Sequence, residues 1–334
     1  MEWYAEYLKN RGEKSYRISQ VHQALYRDLV DSFDEISTLP KELKSDLEKD
    51  IPFSSLTLLQ ERTSKDGTVK VLFETKDKLK VESVLMRHDK NRNTVCVSSQ
   101  VGCAAACVFC CTGKMGLKKN LDHDEIVAQV LYFVKKMKKE EGAKVTNIVF
   151  MGMGEPFHNY ENVMNAVYIL NDPKKLAFGS RHITISTSGV VSQIKKFTQE
   201  GLQVNLAISL HAPNEKLRSS LMPINDTYSL EALMDSLDEY VKKTGRRIFY
   251  EYIMLKDKND SCDCAQELGK LLQGKLAHVN LIPFNPGANE EILGSEEKGI
   301  RAFQKVLTDY GVPSTIRVTL GQDIDGACGQ LATK

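Results

Sequence analysis

Val101-Gly-Cys-Ala-Ala-Ala-Cys-Val-Phe-Cys-Cys-Thr-Gly113 sets Cys103, Cys107 and Cys110 in a C-x3-C-x2-C spacing. It directly follows Thr94–Ser99, a β-branched run that reads as the first strand of an alternating pattern. Three thiolates so close together can hold a cubane 4Fe–4S cluster while leaving one iron without a protein ligand. An open coordination position is what separates a reactive metal site from a structural one. Gly102 and the alanines let the backbone wrap such a cluster, and Val108 and Phe109 shield it from water. A structural zinc site is the alternative. It fits poorly, because zinc wants four ligands and usually draws them from two separated C-x2-C pairs. Cys111 is read as packing, since two adjacent residues rarely both point at one metal.

Strands and helices alternate outward from this loop. Strands are expected at Val145–Met151, His182–Ser186, Val204–Leu210, Arg247–Met254, His278–Pro283 and Thr315–Leu320. Helices are expected at Asp124–Lys138, Tyr160–Leu170, Val190–Glu200, Ser229–Lys243, Cys262–Leu272 and Glu296–Tyr310. Such alternation implies βαβ units and a parallel sheet, either open or an incomplete (βα)6 barrel. In both cases ligands belong at the C-terminal ends of the strands. Upstream, residues 1–50 read as helical, with an apolar period through Val21, Leu25, Leu29 and Phe33. Residues 51–92 read as a small β segment or linker, with strands near Val69–Phe73 and Leu79–Met86 and a turn at Lys65-Asp66-Gly67. Residues 93–334 form the expected core domain.

Composition bounds the function classes. The chain has 334 residues, 42% of them hydrophobic and 27% charged, as in a soluble globular protein. No apolar run suits a membrane span and the N-terminus lacks a secretory h-region, so a cytoplasmic location is expected. Four of the eight cysteines crowd into 103–111, which in a reducing compartment points to metal or redox chemistry. The net charge of +1 excludes binding nucleic acid through bulk charge and leaves room for a local basic face. Lys135–Lys139 and Lys242–Arg247 are the candidates for it, and solvated helix ends are their alternative reading. Cys262 and Cys264 are expected at the surface or in packing.

Hydrogen-bonding residues gather after the strands. Met151-Gly-Met-Gly-Glu-Pro156 supplies glycines for a close backbone approach, and Glu155 can accept from an ammonium. Ser186-Thr-Ser-Gly189, Ser209-Leu-His-Ala-Pro213 and Ile282-Pro-Phe-Asn-Pro-Gly287 follow three further strands. Each alone is ordinary turn chemistry. Together they surround one mouth. Cys328 lies in a glycine-flanked loop unlike the setting of a core cysteine, and Cys96 sits on the strand before the cluster loop.

These stretches, with Gly116–Leu121, Leu221–Asn225 and Asp323–Gln330, resemble the RlmN/Cfr family of radical S-adenosylmethionine RNA methyltransferases over nearly the whole chain, more closely on the RlmN side. The resemblance implies that Cys103, Cys107 and Cys110 hold one 4Fe–4S cluster. It implies a binding site for S-adenosylmethionine at Gly154, Glu155, Ser186, Ser209, Leu210, His211 and Asn285, with two cofactor molecules used per turnover. Cys328 would carry the methyl group as S-methylcysteine. Cys96 would release the adduct by forming a transient disulfide with Cys328. Glu82 would handle a proton, although one extra residue separates it from Cys96. The implied substrates are 23S ribosomal RNA and tRNA, with an external electron donor, no membrane and a monomeric state. Carbon 2 of adenine lies between two ring nitrogens and is too electron-poor to attack a sulfonium methyl. A carbon radical adds to it readily, and the cofactor carries that step. The Cfr-type alternative is methylation at carbon 8. Further alternatives are a radical enzyme acting on a protein or small molecule, and a zinc-stabilised RNA-binding module.

Overall fold

The computed structural model describes residues 3–89, 91–140, 142–287 and 291–333. Three helices come first, α1 (Trp3–Asn10), α2 (Ser15–Gln23) and α3 (Lys41–Asp50), followed by β1 (Leu56–Thr63), β2 (Val69–Thr75), β3 (Lys80–His88) and β4 (Arg92–Val97). A two-stranded pair flanks the cysteine loop, β5 (Gln100–Val101) with β6 (Lys119–Asn120). Then come α4 (His123–Lys138), β7 (Asn147–Phe150), α5 (Tyr160–Asn171), β8 (Ile183–Thr187), α6 (Val191–Gln199), β9 (Asn205–Ser209), α7 (Glu215–Leu221) and α8 (Leu230–Thr244). The chain continues through β10 (Ile248–Met254), α9 (Cys262–Leu272), β11 (Ala277–Pro283), α10 (Glu297–Asp309) and β12 (Ser314–Ile316).

One ten-stranded sheet runs in the order β1-β2-β3-β4-β7-β8-β9-β10-β11-β12. From β4 onward the pairing is parallel, and six long helices cross between the strands, as the alternating pattern requires. Parallel strands covered by helices have no wet face. Leu206, Ala207 and Ile208 of β9 accordingly have no exposed surface at all. The sheet ends at β1 and β12 without closing, so this is an incomplete barrel. Helix boundaries follow local chemistry. Asp122 and Glu125 form a reciprocal capping box before α4, and Gly245 ends α8 in the left-handed region.

Two features depart from the pattern. The apolar period through Phe33 is not one helix. α2 stops at Gln23, Ala24–Asp28 makes a single π turn, and Leu29 at φ 58° reverses the chain. Phe33 is still fully buried, so the period reports burial and not helix continuity. The β segment is also no linker. β1, β2 and β3 pair antiparallel with one another and β3 with β4, extending the barrel sheet by three strands. β1 left no readable period because seven of its eight residues are exposed.

The lysines of the basic run Lys135–Lys139 are engaged by other parts of the same chain. Lys135 lies 4.7 Å from the Phe53 ring centroid and donates to Val30 O, and Lys138 donates to Asp28 O. Lys136 pairs with Glu61 at 2.9 Å and Lys139 with Asp31 at 3.4 Å. The end of α4 therefore clamps the N-terminal helices to the barrel. In the second run, Lys243 and Arg246 bond Gln199 and Asn205. Lys135→Ala is expected to cost about 1–2 kcal/mol through the lost cation–π contact and carbonyl hydrogen bond, measured by urea unfolding.

Candidate active site

The strand ends surround a cavity with about 1520 Å3 of empty space, part of it open to solvent. Cys96, Cys103, Cys107, Cys110, Gly154, Glu155, Ser186, Ser209, His211, Asn285 and Cys328 all line it. Leu210 and Glu82 do not. β9 ends at Ser209 and the chain turns through His211 at φ 58°, so that Ser209 and His211 both line the cavity while Leu210 between them is fully buried away from it. Only its backbone serves the site, with Leu210 N donating to Glu251 O at 3.1 Å.

The cysteine loop is a chain of turns. Gly102 has φ +75°, and a Cβ there would fall 1.7 Å from Gly116 O, so no other residue fits this approach. Cys110 N donates to Cys107 O and Val108 N to Leu221 O, each at 3.1 Å. Burial pushes the Cys103 thiol up to about 12 and raises Cys107 as well, with Cys110 and Glu155 adding repulsion. Bound iron would reverse this, because its charge deprotonates a coordinating thiol. Among the described residues no three His, Cys, Asp or Glu side chains converge on a single-ion position. A cubane needs its thiolates farther apart than one zinc ion does. Cys111 is buried and its sulfur faces Gly287, where an added Cβ would lie 3.2 Å away. None of the eight cysteines is in a disulfide.

Two buried polar atoms on the cavity, Ser188 Oγ and Asn285 Oδ1, have no hydrogen-bond partner. Unsatisfied atoms of this kind are costly unless a ligand or water completes them. Together with the thiols of Cys103, Cys107 and Cys110 on the same cavity wall they fit a cluster and a polar cofactor. Glu155 is fixed by backbone donors, Phe157 N at 2.9 Å and Ser188 N at 2.7 Å. Gly154 before it has φ +100°, and a Cβ would meet Gln100 at 2.5 Å. His211 is held on both faces of its role. Its Nδ1 accepts from Ile253 N at 3.0 Å, and its ring meets Phe109 edge-on at 4.8 Å between centroids. Burial and the Arg218 charge drop its pKa to about 3, so it is a neutral ring near pH 7.

Arg218 was not foreseen. A guanidinium on a short helix carries no sequence signal, yet this one is fully buried. It donates to Ser188 O at 2.5 Å, Ser209 O at 3.4 Å and Asn225 Oδ1 at 2.8 Å, joining two of the strand-end loops. Glu251 and Arg317 also line the cavity and were not foreseen.

The C-terminal loop is lashed across the barrel mouth by the antiparallel strands and the cysteine loop. Gly321 N donates to Asp66 Oδ2 at 2.8 Å, and Ser64 Oγ to Asp323 Oδ1 at 2.5 Å. Lys70 Nζ reaches Asp325 O at 3.2 Å and Glu82 Oε1 at 3.1 Å. Glu82 Oε2 accepts from Ala332 N at 2.9 Å and Thr333 N at 3.1 Å. Cys111 N donates to Gly329 O at 2.9 Å, and Asn285 Nδ2 to Cys328 O at 3.2 Å. Cys328 lines the cavity as an exposed residue, close enough to the Cys110, Glu251 and Arg317 side chains to feel their charges. Burial pushes both Cys328 and Cys96 up to about 12. Each is raised further by a neighbouring thiol, Cys110 for Cys328 and Cys328 for Cys96.

Comparison with known proteins agrees with this geometry. Residues 97–265 match the radical SAM superfamily profile, and residues 2–51 match the ribosomal RNA large subunit methyltransferase N-terminal domain. Fold and cysteine loop together define a radical S-adenosylmethionine enzyme. A probable dual-specificity RNA methyltransferase RlmN from Bacillus thuringiensis (strain Al Hakam) is 45% identical over 98% of this chain and 90% of that protein. The relative from Bacillus cereus (strain AH187) gives the same figures. A crystal structure of a radical SAM methyltransferase from Sphaerobacter thermophilus superposes with a TM-score of 0.95 at 45% identity, covering 99% of this chain and 96% of that one. This chain therefore belongs to the RlmN family of radical SAM methyltransferases, which sets aside the zinc-module alternative.

His211 yields a pH prediction. Its folded pKa lies below the ordinary histidine value near 6.5, so its contribution to stability is complete above that pH. As pH falls from 6 toward 4, the unfolded chain takes up a proton that the folded ring refuses. Stability should drop by on the order of 1 kcal/mol per pH unit from this group, and His211→Asn should lose that component in urea unfolding across the range.

Proposed function

We propose that this chain methylates carbon 2 of adenosine in 23S ribosomal RNA and of the adenosine beside the tRNA anticodon, through an S-methylcysteine on Cys328. The observation that carries the reading is that Cys96 and Cys328, 232 positions apart in the chain, face one cavity together with the three cluster cysteines. A generic hydrogen abstraction has no use for two further thiols. The relatives are named as probable dual-specificity RNA methyltransferases, which supports RNA as the substrate class.

Cys103, Cys107 and Cys110 would hold a 4Fe–4S cluster. Glu155, Ser186, Ser209, His211 and Asn285 would bind S-adenosylmethionine with the backbones of Gly154 and Leu210. When bound, these groups supply a methyl group to a thiol and a hydrogen-abstracting radical, two cofactor molecules serving one turnover. The residues of the chain do the rest. Cys328 takes the methyl group, and after one of its hydrogen atoms has gone to the radical its carbon bonds to adenine carbon 2. Glu82 accepts the proton leaving that ring carbon once the C-terminal tail releases its carboxylate, and the odd electron would pass back to the bound cluster. Cys96, as thiolate, then bonds to the Cys328 sulfur. The carbon–sulfur bond breaks with its electron pair on the bridging methylene, a proton returned by Glu82 makes that carbon the methyl group of adenine, and an external donor reduces the resulting disulfide. The cavity is deep, so the target base must be flipped out or single-stranded. The helices of residues 1–50 would help to grip the RNA, and the enzyme would act as a cytoplasmic monomer.

The test is anaerobic turnover with reductant, S-adenosylmethionine and unmodified RNA, followed by nucleoside analysis. 2-Methyladenosine is expected; product only at carbon 8 would overturn the regiochemistry. Cys328→Ala should bind S-adenosylmethionine and make no methylated adenosine. Cys96→Ala should accumulate a covalent protein–RNA adduct visible as a gel shift.

A further inference from the structure

We propose that Glu251 and Arg317 are specificity-determining residues that read the edge of the target adenine, an inference that rests on the methyltransferase reading above. Both line the cavity that holds Cys328, and the chemistry assigned so far uses neither. Glu251 projects from β10 beside Ser209 of β9 and Asn280 of β11. It is 6% exposed, and Asn280 Nδ2 donates to its Oε1 at 2.8 Å. Its second oxygen takes no hydrogen bond among the described residues. Arg317 follows β12 and is anchored by its backbone, Arg317 N donating to Leu281 O at 2.8 Å. Its half-buried guanidinium has no hydrogen bond or ion pair among the described residues. The two charges nevertheless act on one another and on Cys328: burial raises the Glu251 and Cys328 pKa values, Arg317 opposes both rises, and Glu251 adds to that of Cys328.

An unspent acceptor and an unspent donor therefore line the same chamber as the thiol that would meet the base. Met86, Ile253, Ile282 and Leu320 supply its flat apolar surfaces. Adenine is the complement: its exocyclic amino group donates, and the adjacent ring nitrogens accept. A base taken out of a stack is read in this way, by hydrogen bonds to its edge and packing against its faces. A carboxylate here also rejects guanine and uracil, whose corresponding edges carry carbonyl oxygens that would meet it lone pair to lone pair. Glu251 would accept from the amino group and Arg317 would donate to a ring nitrogen.

The experiment compares wild type with Glu251→Gln on an RNA stem-loop carrying either adenosine or purine ribonucleoside, which lacks the amino group, at the target. Enzymes are matched for cluster and bound S-adenosylmethionine. In Glu251→Gln the amide oxygen keeps the Asn280 bond and the amide NH2 faces the base, a donor against a donor. Wild type should favour adenosine by roughly tenfold to a hundredfold in kcat/KM, and the variant should lose most of that preference. Equal preference in both enzymes would overturn the role of Glu251. Arg317→Gln, at a half-exposed position, gives an independent reading with 1-deaza- and 7-deaza-adenosine. One of these should be penalised by wild type and not by the variant; identical penalties would overturn the role of Arg317. Absence of any methylated adenosine with wild type would instead overturn the methyltransferase reading itself.

Discussion

The salt bridge between Lys70 and Glu82, with side chains 5% and 1% exposed, fixes where the chemistry of this protein can occur. Buried charges are tolerable only when their remaining valences are met. Here the valences are met by the C-terminal loop: Lys70 also donates to Asp325 O, and Glu82 accepts from Ala332 N and Thr333 N. Removing either partner strands a buried charge, a loss of about 3–5 kcal/mol in comparable pairs. The loop between these anchors carries Cys328. The antiparallel strands are thus the fixture that holds a distant cysteine over the barrel, which explains why they continue the barrel sheet instead of linking two bodies.

The fixture also explains how Glu82 differs from the other expected site residues. It stands behind the loop and not on the cavity wall, so any proton it accepts must be coupled to release of the tail. Cys96 reaches the cavity from the neighbouring strand, where Val84 of β3 pairs with Cys96 of β4. Two residues apart on β3, Glu82 and Val84 therefore tie the anchor and Cys96 to the same strand. A shift of β3 would disturb both at once.

The barrel was legible because parallel strands buried on both faces alternate with amphipathic helices, and no tertiary information is needed to read that period. The expected Cys262–Leu272 helix and the observed α9 coincide for this reason. The cysteine loop was legible because metal ligation imposes local spacing. Residues that act through long-range contacts left no such trace. Arg218, Glu251 and Arg317 are single charges on ordinary amphipathic segments, and only the curl of the sheet turns them inward. Lys135–Lys139 shows the converse. That run could be read as a basic RNA face or as a solvated helix end, and its lysines in fact bond carbonyls, an aromatic ring and carboxylates of the preceding segments. Charge density in a sequence does not say which way a side chain points.

Burial raises the pKa of four cavity thiols, Cys96, Cys103, Cys107 and Cys328, so the protein alone leaves them protonated and poorly nucleophilic. That suits a site in which reactivity must come only with its partners. Iron would ionise the cluster thiols, and on the proposed reading a methylated Cys328 would need no thiolate. Cys96 is different, because the same reading asks it to act as a nucleophile from a position where burial holds its proton on. A thiol buried in this way stays unreactive toward other electrophiles, so its attack would depend on a base or on water reaching it once the adduct has opened the cavity.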